Sequence, residues 1–147
     1  MALLTLAQFF ARYGTDAACI AALKEVRWST EAHGGAIPCK KCGIPTRHHL
    51  IATRRCYSCQ TCGTQVRPTA GTMFERSRVP LPDWFYVLYL FARLAEPPTA
   101  KQIEREIGVS YPTALRMRRR IRARAEEAQA LAEGLFEDAA VTESGPQ

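Results

Sequence analysis

The stretch "CKKCGIPTRHHLIATRRCYSCQTC", residues 39–62, decides the fold of this chain of 147 residues. It contains five of the six cysteines, and three pairs of these cysteines have the C-x-x-C spacing. Two such pairs supply the four sulfurs of a tetrahedral zinc site, and the sixteen residues between Cys42 and Cys59 suit a zinc ribbon. The stretch therefore predicts one structural Zn²⁺ ion, because a site closed by four sulfurs has no open position for catalysis.

Glycine indicates which cysteine pairs bind the metal. A glycine directly follows Cys42 and Cys62, whereas a glutamine follows Cys59. In a zinc knuckle the chain turns back so that backbone amides point at the sulfurs, and the residue after the second cysteine takes a left-handed conformation that glycine adopts without strain. We therefore predict four zinc ligands: Cys39, Cys42, Cys59 and Cys62.

The other cysteines and two histidines have different expected roles. Cys56 is left over from the metal site and is expected to pack under the ribbon or to be half exposed. Cys19, within "TDAACIAALKEV", lies on an apolar helical face and is predicted to be a buried core residue. His48 and His49 stand in the middle of the spacer without ligand spacing, so ligation by one of them is the less favoured alternative.

The charge of the chain is concentrated in its middle. The formal net charge is +6, but residues 39–122 include sixteen basic and only five acidic residues. Such a block is typical of a protein that binds a phosphate backbone, and a solvated basic surface is the alternative. Residues 39–62 contain no acid, and their five basic side chains are predicted to lie along phosphates: Lys40, Lys41, Arg47, Arg54 and Arg55.

The remainder of the chain predicts helices, so the expected fold class is α with a small β zinc ribbon. A helix that ends at Gly14 and a second helix from Asp16 to Arg27 precede the ribbon. Residues 84–95 are apolar almost all round and predict a buried helix. The predicted segments are N-terminal helices (1–35), a zinc ribbon (36–70), a helical domain (71–124) and an acidic tail that is helical or disordered (125–147).

The stretch "TAKQIEREIGVSYPTALRMRRRIRAR", residues 99–124, predicts a helix-turn-helix. Thr99 and Ser110 are good N-caps of two helices, and Gly108 allows a tight turn between them. The alternative is an αα-hairpin of a helical bundle with a solvated basic face. Arg116 is the expected contact to a guanine base edge. The side chains predicted to face DNA are Tyr111, Thr113, Arg116, Arg119, Arg120 and Arg122, and the last three are expected to meet the DNA backbone.

Several of these stretches together resemble a known family. "CIAALKEVRW", "CKKCG", "YSCQTC", "PTAGTMFERSRVPLPDWFYVLYL" and "IEREIGVSYPTALRMRRRIR" are similar, in this order, to the N-terminal region of a family of bacterial insertion-sequence transposases. The resemblance spans about residues 9–124. It implies a zinc ribbon whose ligands are the four cysteines chosen above, followed by a helix-turn-helix whose DNA-reading helix is residues 111–122. It implies nothing for Cys56.

Members of that family continue into a catalytic domain with an acidic, metal-binding triad. Here the 25 residues after Arg122 contain five glutamates and one aspartate on what is expected to be a short helix and a frayed end. Carboxylates for metal-assisted phosphoryl transfer must converge from separate rigid elements. We therefore expect no enzyme activity, and we expect that deleting residues 126–147 leaves specific DNA binding intact or somewhat tighter.

The leading hypothesis is a sequence-specific protein that binds double-stranded DNA and regulates transcription. One alternative is a truncated or accessory transposon protein that binds element ends. Another is a protein-docking module whose partner is RNA polymerase or another protein, and a homodimer stays open. The longest apolar run, residues 84–92, is shorter than the ~20 residues that span a bilayer. The expectation is therefore a cytoplasmic, nucleoid-associated protein that has no contact with a membrane.

Overall fold

The computed structural model describes residues 3–137. Helices occupy most of this range, and a small sheet lies between the third and fourth helices. The helices are α1 (Leu6–Tyr13), α2 (Asp16–Arg27), α3 (Thr30–His33), α4 (Leu81–Arg93), α5 (Ala100–Ile107), α6 (Tyr111–Ala123) and α7 (Ala125–Phe136). The strands are β1 (Ala36–Pro38), β2 (Pro45–Ile51), β3 (Cys56–Cys59) and β4 (Gln65–Val66), and a 3₁₀ turn covers Ala52–Arg54. The predicted fold class, α with a small β zinc ribbon, is confirmed.

Polar N-caps set where the helices begin. Thr15 accepts a hydrogen bond from the amide of Ala18 at the start of α2. Thr99 and Gln102 form a reciprocal capping box at the start of α5, with distances of 3.2 and 2.7 Å. These caps satisfy amides that have no partner within the helix. The bounds predicted for α2 are confirmed, and the predicted buried helix is present as α4, which begins three residues earlier than expected, at Leu81.

The sheet brings the two cysteine pairs together. Its strands are antiparallel in the order β1-β2-β3-β4. The first pair lies in the turn between β1 and β2, and the second pair begins at the end of β3 and continues into the turn before β4. Because β2 and β3 run in opposite directions, the start of β2 and the end of β3 lie at the same end of the sheet. Both turns therefore meet there.

One aromatic-rich core joins helices from both sides of the ribbon in sequence. The Phe9 and Tyr89 rings stack with centroids 4.8 Å apart, and the Phe136 ring meets Tyr89 edge-on at 5.4 Å. Phe85 and Trp84 of α4 are also buried. The chain that leaves the ribbon is tied to α2, because the guanidinium of Arg27 donates to the carbonyls of residues 68 and 70 at 2.9 and 2.8 Å.

Helix α7 is part of this core. Leu131, Leu135 and Phe136 are buried in it, and the amide of Leu4 donates to the carbonyl of Phe136 at 2.8 Å. Because α7 carries a buried apolar face as well as its acids, its packing argues against our expectation that deleting residues 126–147 leaves specific DNA binding intact. Residues 138–147 of the predicted tail lie outside the described residues. The segment boundaries at residues 35, 70 and 124 stay predictions.

Across residues 3–137, no helix combines the length and the apolarity that crossing a bilayer requires.

Candidate zinc site and basic surface

Four sulfurs converge at the end of the sheet. The Sγ atoms of Cys39, Cys42, Cys59 and Cys62 all lie within 4.8 Å of one another. The sulfurs of Cys39 and Cys62 are 3.5 Å apart, and those of Cys42 and Cys59 are 4.0 Å apart. A tetrahedral zinc ion with Zn–S bonds of about 2.3 Å requires sulfurs about 3.8 Å apart. The cluster therefore fits one Zn²⁺ ion without a free coordination position.

Two glycines close the two knuckles. Gly43 and Gly63 have φ angles of 74° and 79°, in the left-handed region that side chains disfavour. Their amides donate to the carbonyls of Cys39 and Cys59 at 2.9 and 2.8 Å. The conformations that the glycine pattern predicts are thus present at both turns.

The chemistry of the sulfurs also suits a cation. Thr46 Oγ1 lies 2.9 Å from Cys59 Sγ, and this hydrogen bond, together with those from the amides of Cys62 and Thr61, lowers the pKa of the Cys59 thiol to about 5. A hydrogen bond with Thr64 lowers the pKa of Cys62. The pKa of Cys42 is instead raised to about 12, chiefly by its hydrogen bond with Cys62. Four thiolates so close together repel one another, and a bound divalent cation removes that repulsion and displaces the remaining protons.

The remaining candidates from the sequence lie outside the sulfur cluster. Cys56 on β3 is fully buried and pairs with Ile51 across the sheet. Cys19 is buried in the helical core, where burial raises the pKa of its thiol to about 12. His48 places Nδ1 3.0 Å from the carbonyl oxygen of Thr46. Among the described residues, neither histidine belongs to a group that can hold a metal ion.

This arrangement predicts how the thiols react. In the zinc-loaded protein we expect all six thiols to react slowly with an aromatic disulfide reagent, because four bind zinc and two are buried. A zinc chelator should release five fast-reacting thiols, because loss of zinc unfolds the ribbon and exposes Cys56 on β3 together with the four ligands. Cys19, in the helical core, should react only after guanidinium unfolds the chain. Absorbance of the released thiolate counts each class, and a fast thiol before chelation would contradict the assignment.

The basic side chains of the ribbon differ in what they contact. The guanidinium of Arg55 forms a bidentate ion pair with Asp16 on α2, at 2.7 and 3.0 Å. An acidic residue from a distant part of the sequence therefore lies beside the ribbon. Because Asp16 already neutralises Arg55, Arg55 is a weaker candidate for a phosphate contact than Arg54. The other four ribbon cations predicted to lie along phosphates are exposed and have no ion-pair partner within residues 3–137: Lys40, Lys41, Arg47 and Arg54.

Helices α5 and α6 pack against each other across a turn of three residues. Gly108 ends α5 with φ 72°, and its amide donates to the carbonyl of Glu104 at 2.9 Å. Ser110 caps α6 through the amide of Thr113 at 3.4 Å. The N-caps predicted at Thr99 and Ser110 and the turn predicted at Gly108 are confirmed. One face of α6 is buried through Ala114, Met117 and Ile121.

The arginines of α6 fall into two groups. Four of them are exposed, and three of these donate no hydrogen bond to another element of the described chain: Arg116, Arg119 and Arg122. Arg116 reaches the hydroxyl of half-buried Thr113 at 3.3 Å. Arg120 instead donates to the carbonyls of Met73 and Glu75, at 2.9 and 3.2 Å, and so fixes the loop before α4. Arg120 is therefore less available to DNA than predicted. Tyr111 is exposed at the start of the helix, and Nζ of Lys101 lies 5.1 Å from the centroid of its ring.

Sequence reasoning missed two further arginines. Arg76 and Arg78 are exposed in the loop before α4, and they line the same cleft as Thr113 and Arg116. In the sequence they appear only as "RSR" within a stretch of turn-forming residues. The alternation of two arginines around a serine was the available signal, but nothing local places that loop beside α6.

The sulfur cluster within a small antiparallel sheet defines a zinc-ribbon protein. Residues 14–65 match the family described as the transposase zinc-ribbon domain. The resemblance to insertion-sequence transposases predicted from the sequence is thereby confirmed for this part of the chain. The family match at residues 14–65 and the four clustered cysteines together support one structural zinc ion.

A relative comes from a mobile element. An uncharacterized protein in transposable element ISH50 of Halobacterium salinarum is 30% identical to the chain over 96 residues. This match covers 64% of the chain and 30% of the length of that relative. No solved structure matches the chain.

Proposed function

We propose that the chain binds double-stranded DNA of defined sequence, with α5 and α6 acting as a helix-turn-helix and α6 entering the major groove. The observation that carries the proposal is the exposed face of α6, which presents Arg116, Arg119 and Arg122 on a helix without an acidic residue. A solvated helix usually alternates charges of both signs. A purely basic face beside a capped turn suits the phosphates and guanine edges of a duplex.

The ribbon supports the same proposal. Its unpaired cations, Lys40, Lys41, Arg47 and Arg54, offer contacts to the phosphate backbone, and its family is that of transposase zinc ribbons. In this arrangement the ribbon positions the protein along the duplex, while Arg116 reads a base edge. The proposed role is binding without strand cleavage, which incubation of the protein with labelled duplex and Mg²⁺ examines directly.

Regulation of transcription and recognition of transposon ends are two versions of this function. The relative in ISH50 favours the second version, because that protein belongs to a transposable element. Genome-wide mapping of the bound protein separates the versions. Occupancy of promoters supports a regulator, and occupancy of the terminal repeats of an insertion sequence supports the second version.

The division of labour between helix and ribbon gives the test of DNA binding. We expect Arg116→Ala to remove most of the preference for the selected duplex over a scrambled one, since a bidentate guanine contact contributes about 1–3 kcal/mol of discrimination. Arg54→Ala should weaken both duplexes alike and reduce the slope of log K against log salt by about one. Competition titrations at two salt concentrations measure both effects. Equal weakening of both duplexes by Arg116→Ala, with no effect of Arg54→Ala, would reject this arrangement.

A further inference from the structure

A basic cleft lies between α6 and the loop that precedes α4. Its volume is about 490 Å³, and it is open at the surface. Four arginines line it, and none of its lining residues is acidic. The arginines are Arg76 and Arg78 from the loop and Arg116 and Arg120 from α6.

The loop before α4 is held in place by hydrogen bonds with residues of α4, α6 and α7. Arg120 binds the carbonyls of Met73 and Glu75, as described above, so one arginine of the cleft fixes the backbone that carries two others. The indole Nε1 of Trp84 donates to the hydroxyl of Ser77 at 2.8 Å. The amide of Met73 donates to the carboxylate of Glu127 on α7 at 2.9 Å. The cleft is therefore preorganised by contacts to α4, α6 and α7.

The backbone at Arg76 is unusual. Its φ angle is 58°, in the left-handed region that residues with a side chain seldom adopt and that costs of order 1 kcal/mol. Arg76 and Arg78 are both exposed, on either side of Ser77. No ion pair within the described part of the chain neutralises either guanidinium or that of Arg116. A strained turn that gathers unpaired like charges is stabilised when an anion binds among them.

We propose that this cleft binds a backbone phosphate of the DNA, with Arg76 and Arg78 as its ligands. This inference rests on the proposed function and adds the loop as a third contact element beside the ribbon and α6. Guanidinium groups bind phosphate oxygens in a bidentate manner through charge-assisted hydrogen bonds. Because Arg116 lines the same cleft, the phosphate bound here flanks the base that Arg116 reads, and it fixes the depth at which α6 enters the groove.

Two variants isolate the cleft from the fold. Arg76→Gly removes one charge and suits a φ angle of 58°, so the thermal unfolding temperature should not fall. Arg78→Gln removes the other charge and keeps most of the side chain, while Arg78→Lys retains the charge. Arg12→Ala is the matched control, because it removes an exposed charge from α1, none of whose residues lines the cleft.

The measurement uses the full, zinc-loaded chain and a duplex selected from a random library. We expect Arg76→Gly and Arg78→Gln each to reduce the slope of log K against log salt by about one, on selected and scrambled duplexes alike. Arg12→Ala should leave the slope unchanged, and Arg78→Lys should restore most of it. In a methylphosphonate scan of the selected duplex, one phosphate is made neutral at a time. At one position this change should weaken binding of the wild-type chain but not of Arg78→Gln.

The outcomes separate this inference from the proposed function. Binding of a selected duplex with unchanged salt slopes in both loop variants would overturn the cleft while leaving the proposed function intact. The methylphosphonate scan gives a second way to overturn the cleft. If the loss of affinity caused by Arg78→Gln adds to the loss caused by each methylphosphonate, then the Arg78 side chain contacts none of those phosphates. Failure of the wild-type chain to bind any duplex would overturn both proposals.

Discussion

Replacing Cys59 by serine is expected to release the zinc ion and to unfold the ribbon. Cys59 ends β3 and belongs to the sulfur cluster, and its carbonyl accepts the hydrogen bond that closes the second knuckle. Structural zinc contributes on the order of 10 kcal/mol to the folding of small zinc modules. The longest strand of the sheet, β2, is exposed or half-buried along its whole length and so contributes little burial to the stability of the ribbon. Elemental analysis should give about one zinc per wild-type chain and none for the variant.

Cys56 provides the matched control within the same strand. Cys56→Ser should keep one zinc ion, because Cys56 lies outside the sulfur cluster. Cys56→Ala should do the same and avoids burying a hydroxyl group, so the pair distinguishes loss of a ligand from loss of packing. If Cys56→Ala loses zinc while Cys62→Ser retains it, the assignment of ligands is wrong, and so is the argument from the glycines.

The features that the sequence predicted well depend on short stretches of chain. The C-x-x-C-G pattern contains both the ligands and the backbone conformation that each knuckle needs, and so the sulfur cluster was accessible without a structure. The same holds for α5, whose cap at Thr99 and terminal Gly108 lie within the helix or next to it. Caps and left-handed glycines act within a few residues, so no tertiary information is required.

The features that the sequence did not predict join residues far apart in the chain. Asp16 and Arg55 are 39 positions apart. Because residues 39–62 contain no acid, the sequence around Arg55 gave no sign of its ion-pair partner. Arg120 is 47 positions from Met73, so its role in fixing a loop was hidden behind its membership of a basic helix. The acidic residues of 125–136 led to the prediction of an acidic tail. The spacing of Leu131 and Leu135, four residues apart on one helical face, indicated instead that this helix has a buried side. A long-range partner is specified by the fold and not by neighbouring residues.

Ending the chain at Arg124 is expected to unfold the helical body. This truncation removes α7 and with it three large buried side chains, those of Leu131, Leu135 and Phe136. Deleting one such side chain from a core typically costs about 2–5 kcal/mol, and a domain is stable by only about 5–15 kcal/mol. Thermal unfolding should therefore lose its cooperative transition. Truncation after Glu137 is the control, because it retains every described contact of α7, and its transition should match that of the full chain.

A point substitution separates the two roles of α7. Phe136→Ala should lower the free energy of unfolding by about 3–5 kcal/mol, since its ring packs against Phe9 and Tyr89 at the centre of the core. Glu127→Ala should leave that core intact and release the amide of Met73, which loosens the loop that carries Arg76. Chemical denaturation measures the first effect, and the salt slope of DNA binding measures the second. A cooperative transition at the wild-type temperature after truncation at Arg124 would contradict these predictions. It would show that α7 does not stabilise the helical core, and a role of its acidic residues would then be the remaining explanation for this segment.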